Sequence, residues 1–248
     1  IAITHAHGDH CLGLPGVLAR RALDGAPEPV VLHYPAPAQA DIDALRRAGR
    51  PAQPAPVTEA PVDADGVIAT GPTWRLLAAA LDHRVPAVGY RLEERPGVRM
   101  RPERLAAYGV SGPDVGRLRR EGQLTRPDGT TVRLDAVSEP RPGQVFAFIM
   151  DTRWCAGALR LAQQADLLVV EATFLDRDRE LAAGYGHLTA RQAGVLAAEA
   201  GARRLVLTHF SRRYGDDTTP FLAEASAAFD GQVVAAADLD VIPVPPRR

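Results

Sequence analysis

Ile1-Ala-Ile-Thr-His5-Ala-His7-Gly-Asp9-His10 is the stretch that decides how the chain is read. A short apolar strand, Ile1 to Thr4, runs directly into four metal-competent side chains, His5, His7, Asp9 and His10, packed into six residues. In an extended strand His5 and His7 share a face, because successive side chains alternate. A turn beginning at Gly8 then swings Asp9 and His10 to a second position, so one short loop feeds two adjacent sites. Packing alone explains the motif poorly. Three partly buried imidazoles would each need a separate polar partner within a few ångströms, since unpaired polar groups are costly to bury.

Working outward, three more candidates stand where apolar strands end. His83 follows the run from Trp74 to Ala80, Asp151 follows Val145-Phe-Ala-Phe-Ile-Met150, and His209 follows Leu205-Val-Leu-Thr208. Strand ends are where α/β proteins gather functional side chains on rigid supports. Singly, each is as readily a capping residue as a ligand; their recurrence favours metal binding. Nitrogen and carboxylate donors without thiolate fit zinc or a related borderline divalent ion, and Cys11 reads as packing beside the loop. Five imidazoles (His5, His7, His10, His83, His209) and two carboxylates (Asp9, Asp151) exceed the needs of one tetrahedral ion. Two ions are expected. A pair about 3.5 to 4 Å apart can activate water and hold both the attacking and the leaving oxygen of an in-line displacement.

The rest of the chain alternates strands with helices. Helices are expected at Gly13–Leu23, Asp41–Ala48 (ending at Gly49), Ala156–Ala165 and Phe221–Phe229, and strands at Val30–His33, Val88–Glu93, Val145–Met150 and Leu167–Val170. Residues 51–66, rich in Pro and Ala, read as a loop with one edge strand at Val57. Thr189-Ala-Arg-Gln192 is a capping-box pattern opening a helix that runs to Ala200 and stops at Gly201. Terminal strands are expected near Val233–Ala236 and Val241–Pro243. Several strands are apolar on both faces, which argues for an α/β fold with helices packed outside sheets.

Composition bounds the reading further. The 248 residues suit one large domain or at most two, and 46% hydrophobic residues exclude a disordered chain. Cys11 and Cys155 exclude a disulfide framework and a zinc finger and point to a reducing compartment. Apolar runs fall far short of the roughly 20 residues that cross a bilayer. A strand pattern at residue 1, with no initiator Met and no leader, suggests a chain cut from something longer. The net charge of -1 argues against coating nucleic acid by bulk electrostatics. Residues 95–133, however, carry nine arginines against four acids, a net +5. Standing alone, that segment is as readily a solvated insertion as a binding arm.

The sequence resembles the metallo-β-lactamase superfamily, and within it the ribonuclease Z family, endonucleases that trim the 3′ trailer from precursor tRNA. The superfamily pattern HxHxDH stands at His5–His10. The closer resemblance rests on Gly13-Leu-Pro-Gly16, Leu81-Asp-His-Arg-Val-Pro-Ala-Val-Gly-Tyr-Arg91, Glu171-Ala-Thr-Phe-Leu175, Tyr185-Gly-His-Leu-Thr-Ala190, and Leu207-Thr-His-Phe-Ser211 with Arg213-Tyr214. It covers the whole chain and implies a four-layer αββα sandwich with two mixed sheets, forming a single domain over residues 1–248 with an inserted basic arm at 95–133. It further implies two Zn2+ per chain, with Mn2+ able to substitute. His5, His7 and His83 would hold one ion, Asp9, His10 and His209 the other, and Asp151 would bridge them.

By the same resemblance Asp9 orients or deprotonates the attacking water, and His187, held by Glu171, gives a proton to the leaving oxygen. Read without the family, His187 is equally an N-terminal helix residue beside Thr189, and Glu171 a partner for an arginine. The arm, with Arg117, Arg119 and Arg120, would grip precursor tRNA through phosphates and shape. Asp114-Val115 stands where bulkier Leu-Tyr pairs are common in the family, and Met150 precedes Asp151 where the superfamily often has Gly. The family also carries several dozen residues upstream of Ile1. The resemblance implies a cytoplasmic homodimer that engages neither membrane nor DNA. Two other readings share the ligands: a hydrolase of small phosphodiesters, esters or lactones, which needs no arm and no Glu171–His187 pair, and a noncatalytic RNA-binding homologue, which needs no water-activating Asp9.

Overall fold

The structure, a computed structural model, describes residues 1–48 and 56–247. Two compact units emerge, one formed by Ile1–Glu93 with Val145–Pro245, the other by Glu94–Gln144 with residues 246–247.

In the larger unit the opening segment is fixed by backbone pairing rather than by a strand of its own. Ile3 N–H donates to the His33 carbonyl at 2.8 Å, His33 N–H to the Ile1 carbonyl at 2.9 Å, and Val88 N–H to the Thr4 carbonyl at 2.9 Å. There follow α1 (Gly8–Cys11), α2 (Leu14–Leu23), β1 (Val30–Pro35), α3 (Gln39–Arg47), β2 (Val57–Val62), β3 (Gly66–Thr70), β4 (Trp74–Leu81) and β5 (Ala87–Glu94). Pro15 sits in the first turn of α2, where a missing N–H costs nothing. Leu14, Leu32, Tyr34, Ile42, Ile3 and Cys11 bury together, so Cys11 does pack beside the histidine loop. The edge strand expected at Val57 is β2, paired in parallel with β1 from Val30↔Val57 to Pro35↔Val62. Gly49 and residues 51–55 lie outside the described residues.

The smaller unit holds β6 (Gly97–Met100), α4 (Pro102–Ala107), α5 (Pro113–Glu121), β7 (Gln123–Thr125), β8 (Thr131–Arg133), α6 (Leu134–Val137) and β9 (Ser138–Arg141). β6 pairs with β9 and β7 with β8, both antiparallel. Leu105, Val110, Leu118, Leu124, Val132 and Val137 form an apolar cluster belonging to this unit alone. Leu118 anchors α5 with no exposed surface, which leaves Arg117, Arg119 and Arg120 exposed around it.

The chain re-enters the larger unit with β10 (Val145–Ile149), α7 (Ala156–Ala162), β11 (Leu167–Glu171), α8 (Arg179–Tyr185), α9 (Ala190–Ala200), β12 (Arg204–Thr208), α10 (Thr219–Ser226) and β13 (Gln232–Ala235). A seven-stranded mixed sheet runs in the order β13-β12-β11-β10-β5-β4-β3, with β10 to β13 parallel and β10/β5 and β3/β4 antiparallel. Helices α7, α9 and α10 cover one face over a core that includes Ile149, Leu168, Leu196, Leu205 and Phe221. A Cβ on Gly194 would lie 2.5 Å from the Ala225 carbonyl oxygen, so α9 and α10 approach only because that residue is glycine. On the other face Val62 of β2 packs with Ala78, Val88 and Tyr90. The layers are therefore α2/α3, the β1–β2 pair, the seven-stranded sheet, and α7/α9/α10.

Three expectations change. The second sheet is a parallel pair among the described residues rather than a mixed sheet, with the opening segment bonded to the free side of β1. The helix expected to reach Ala165 stops at Ala162, because Gln164 takes a left-handed conformation (φ 52°) and gives its N–H to the Ala200 carbonyl. No strand forms at Val241–Pro243: Val241 is 93% exposed, and Pro243, Pro245 and Pro246 offer no N–H to a ladder. The capping box at Thr189 is present, with both reciprocal bonds made.

Candidate metal centre

Six of the seven histidines meet at one end of the seven-stranded sheet. His5 and His7 come from the segment entering α1, and Asp9 and His10 from α1 itself, which is the turn anticipated at Gly8. His83, Asp151 and His209 arrive just after β4, β10 and β12. Donor atoms of His5, His7, His83 and Asp151 all lie within 4.8 Å of one another, as do those of Asp9, His10 and His209. All seven anticipated ligands are thus brought together.

Asp151 stands between the two sets. Its Oδ2 is 3.5 Å from His5 Nε2 and 3.6 Å from His83 Nε2, while its Oδ1 is 3.4 Å from His10 Nε2 and 3.5 Å from His209 Nε2. Asp151 is 3% exposed, yet its Oδ1 has no hydrogen-bond partner among the described residues. Asp9 lies on the open side, with a side chain 69% exposed and Oδ2 3.3 Å from His10 Nε2. Asp151 and His209 both take positive φ, 36° and 62°, conformations that cost non-glycine residues on the order of 1–3 kcal/mol each. Such strain persists only where the surroundings over-determine the residue.

The outer hydrogen bonds fix which nitrogens face inward. His83 Nδ1–H donates to the Gly186 carbonyl at 2.8 Å, and a carbonyl can only accept, so a neutral His83 turns a bare Nε2 to the site. The Thr173 hydroxyl gives its single proton to Glu171 Oε2 at 2.5 Å and accepts from His209 Nδ1–H at 2.8 Å, which likewise leaves His209 Nε2 bare. His5 Nδ1 is bonded to Thr4 Oγ1 at 3.1 Å. Burial, with the neighbouring charges of His10, His83 and His7, pulls the His5 pKa down to about 3. Burial also lowers His10 and His83, against the opposing pull of Asp151. The cluster therefore turns imidazole nitrogens toward the Asp151 carboxylate, with burial favouring the neutral form at His5, His10 and His83. Inward nitrogens at 3.1 to 3.3 Å, and a buried carboxylate oxygen without a donor, are what two divalent cations would reconcile. The residues fit the ions the sequence implies.

Beside them Glu171 is fully buried and, among the described residues, pairs with no arginine. Its Oε1 accepts from Thr152 N–H at 2.8 Å and His187 Nδ1–H at 2.9 Å, and its Oε2 accepts from Thr173 N–H at 3.2 Å. Burial lowers the His187 pKa, but the hydrogen bond and charge of Glu171, with Asp151 and Asp9 beyond, outweigh it and the net shift is upward. His187 can also be grouped with Asp151 and His209 as a metal site. Its raised pKa and its bond to Glu171 favour a proton carrier over a lone-pair donor. Sequence reading missed Thr173, Thr4 and the Gly186 carbonyl. Thr173 alone left a signal, being a hydroxyl two positions beyond a strand-end carboxylate.

Fold and cluster together define a metallo-beta-lactamase superfamily protein: residues 1–132 match the Metallo-beta-lactamase superfamily, and residues 117–210 the Beta-lactamase superfamily domain. Among curated proteins the chain is 50% identical over 248 residues to Ribonuclease Z of Streptomyces coelicolor, covering 100% of this chain and 81% of that protein. It is 52% identical over 251 residues to Ribonuclease Z of Nocardia farcinica, with the same two coverages. The chain belongs to the ribonuclease Z family. Of solved structures, the short form of human tRNase Z superposes with a TM-score of 0.64 at 22% identity, covering 99% of this chain and 79% of that one. YhfI of Bacillus subtilis, a metallo-beta-lactamase fold protein, gives 0.60 at 18% identity over 95% of this chain and 73% of its own. Both likenesses speak for the fold alone.

Proposed function

We propose that the histidine and aspartate cluster is a two-metal hydrolytic centre served by a Glu171–His187 proton-delivery pair. As a ribonuclease Z family member, the chain is an endoribonuclease that removes the 3′ trailer from precursor tRNA. The observation that carries the two-metal reading is Asp151, each of whose oxygens faces the imidazoles of a different ligand set. His5, His7 and His83 would hold one ion, Asp9, His10 and His209 the other, with Asp151 shared. Nitrogen and carboxylate donors favour Zn2+, and Mn2+ is the alternative. When bound, the ions supply a stronger nucleophile from water at neutral pH and neutralise charge on the phosphate.

The chain's own groups do the rest. Asp9, on the open side, orients the water and takes its proton. His187 keeps Nδ1 committed to Glu171 and offers the proton on Nε2 to the departing 3′-oxygen, a general-acid role that its upward pKa shift favours. In the smaller unit the exposed Arg117, Arg119 and Arg120 contact phosphates of the tRNA body. A homodimeric state and a cytoplasmic location complete the reading. No small-molecule hydrolase or noncatalytic role has an observation in its favour.

A precursor tRNA labelled in its 5′ portion, incubated with the zinc- or manganese-loaded protein, tests the assignment. Cleavage to a product ending in a 3′-hydroxyl is expected, with two metal equivalents per chain by elemental analysis. A 3′-phosphate product, or an uncut precursor, overturns it.

A further inference from the structure

A cleft of about 520 Å3 opens in the larger unit, with His187 and Thr173 of the site above on its wall. Phe174, Leu181 and Tyr185 supply its apolar surface, and Ser211 and Arg213 its remaining polar groups. Tyr185, the last residue of α8, is 49% exposed. Its ring lies nearly parallel to that of Phe174, at 16° and 6.3 Å between centroids, and the Arg84 guanidinium carbon sits 5.7 Å from the Tyr185 centroid. Phe174 is buried, so the pair forms a backed platform whose outer ring, Tyr185, is half-exposed with the exposed Arg84 side chain over it. The Tyr214 hydroxyl steadies the segment before α8 by donating to Asp178 Oδ2 at 2.5 Å and accepting from Leu175 N–H at 3.2 Å.

Where such a platform stands relative to the reaction decides what it holds. This step rests on the reading of His187 as the donor to the departing oxygen. In an in-line displacement the attacking and departing oxygens leave phosphorus in opposite directions. The bond that breaks joins phosphorus to the 3′-oxygen of the last nucleotide kept on the tRNA. Water's oxygen bonds to phosphorus, the electron pair of the broken bond stays on the 3′-oxygen, and the His187 proton completes the hydroxyl. The nucleoside reached by passing beyond His187 is therefore the one on the 5′ side of the cut, and the trailer lies away from it.

We infer that the cleft seats the nucleotide on the 5′ side of the scissile bond, with its base against the exposed part of the Tyr185 ring and its own 5′-phosphate near Arg213. A half-exposed aromatic face, one exposed cation and a serine hydroxyl match the flat base, the single charge and the ribose of one nucleotide. Among the described residues no amide or carboxylate side chain lines the cleft, and with Arg213 given to the phosphate and Ser211 to the ribose the seat should accept any of the four bases.

The test is a cycle between protein and RNA, read as kcat/KM for trailer removal by the metal-loaded enzyme. Three precursors are compared: an intact one, one with an abasic residue on the 5′ side of the cut, and one with an abasic residue on the 3′ side. Removing the 5′-side base should lower the wild-type value about tenfold, and Tyr185→Leu should lower it by a similar factor on the intact precursor. The two losses should not compound, while on the 3′-side abasic precursor the Tyr185→Leu loss should persist in full. Tyr185→Phe, which keeps the ring, should restore the intact-precursor value. Losses that multiply, coupling to the 3′-side base instead, or a failure of phenylalanine to rescue would overturn the inference. Trailer removal without the coupling overturns this seat alone. An intact precursor left uncut by wild type overturns the function assignment and this inference with it.

Discussion

Two groups of cationic or cation-binding side chains dominate this chain, and they are built in opposite ways. The histidines of the metal centre are buried or half-buried, and His5, His83 and His209 are each pinned from behind by Thr4, Gly186 or Thr173. The arginines of α5 ring a single buried leucine, and among the described residues only Arg117 makes an ion pair there, to Asp114 at 3.2 Å between half-exposed groups. Exposed pairs of that kind contribute about 0 to 1 kcal/mol and hold a side chain loosely. On the function proposed above, the contrast follows from what each region would have to do. A ligand displaced by roughly 1 Å no longer serves its metal. Phosphate binding depends on charge brought near, which a mobile guanidinium supplies as well as a fixed one.

The contrast can be broken by experiment. Asp151→Ala should cut activity by about 10^3-fold or more and halve metal content, because a single side chain serves both ligand sets; full metal retention would end the bridging role. Thr173→Val should weaken metal binding by roughly 10- to 100-fold in a chelator competition on the resting protein, with Thr173→Ser close to wild type, since the hydroxyl fixes the His209 tautomer.

Glu171→Gln should move the alkaline limb of the pH–rate profile toward lower pH. His187 must carry its proton to act as an acid, Glu171 raises its pKa, and removing that charge lets the proton leave earlier as pH climbs. A limb unmoved by the substitution would detach His187 from the proton step. The smallest effects belong to α5. Arg117→Ala, Arg119→Ala and Arg120→Ala should each raise KM a few-fold, leave kcat alone and reduce the salt slope of binding by about 0.7 to 0.9 for every phosphate that is no longer neutralised. A fall in kcat instead would tie the smaller unit to chemistry rather than grip.

The two regions also differ in how far the sequence reveals them. The opening histidine motif is legible because its members are neighbours along the chain as well as in space. His83, Asp151 and His209 are legible through the apolar strands that precede them. The outer hydrogen bonds are not: the His83–Gly186 bond joins residues 103 apart, and a backbone carbonyl carries no residue signature. Nor does the sequence show that Asp151 and His209 would take left-handed backbone conformations, since neither is glycine. In the smaller unit the arginine excess is plain, but its apolar cluster is spread singly over short helices and strands and leaves no periodicity to read. The misplaced strand at Val241–Pro243 shows the converse error, an apolar run whose prolines cannot join a ladder.

Strands β4, β10, β11 and β12 each run into a functional side chain or end on one: His83, Asp151, Glu171 and His209. Because side chains alternate along a strand, inserting or deleting one residue in any of the four would turn the following ligand toward the opposite face. The sheet thus works as an alignment gauge, and length changes there are forbidden even where the added residue is apolar and the core would accept it. Engineered splices in this chain should accordingly be tolerated only in the connections at the far ends of these strands.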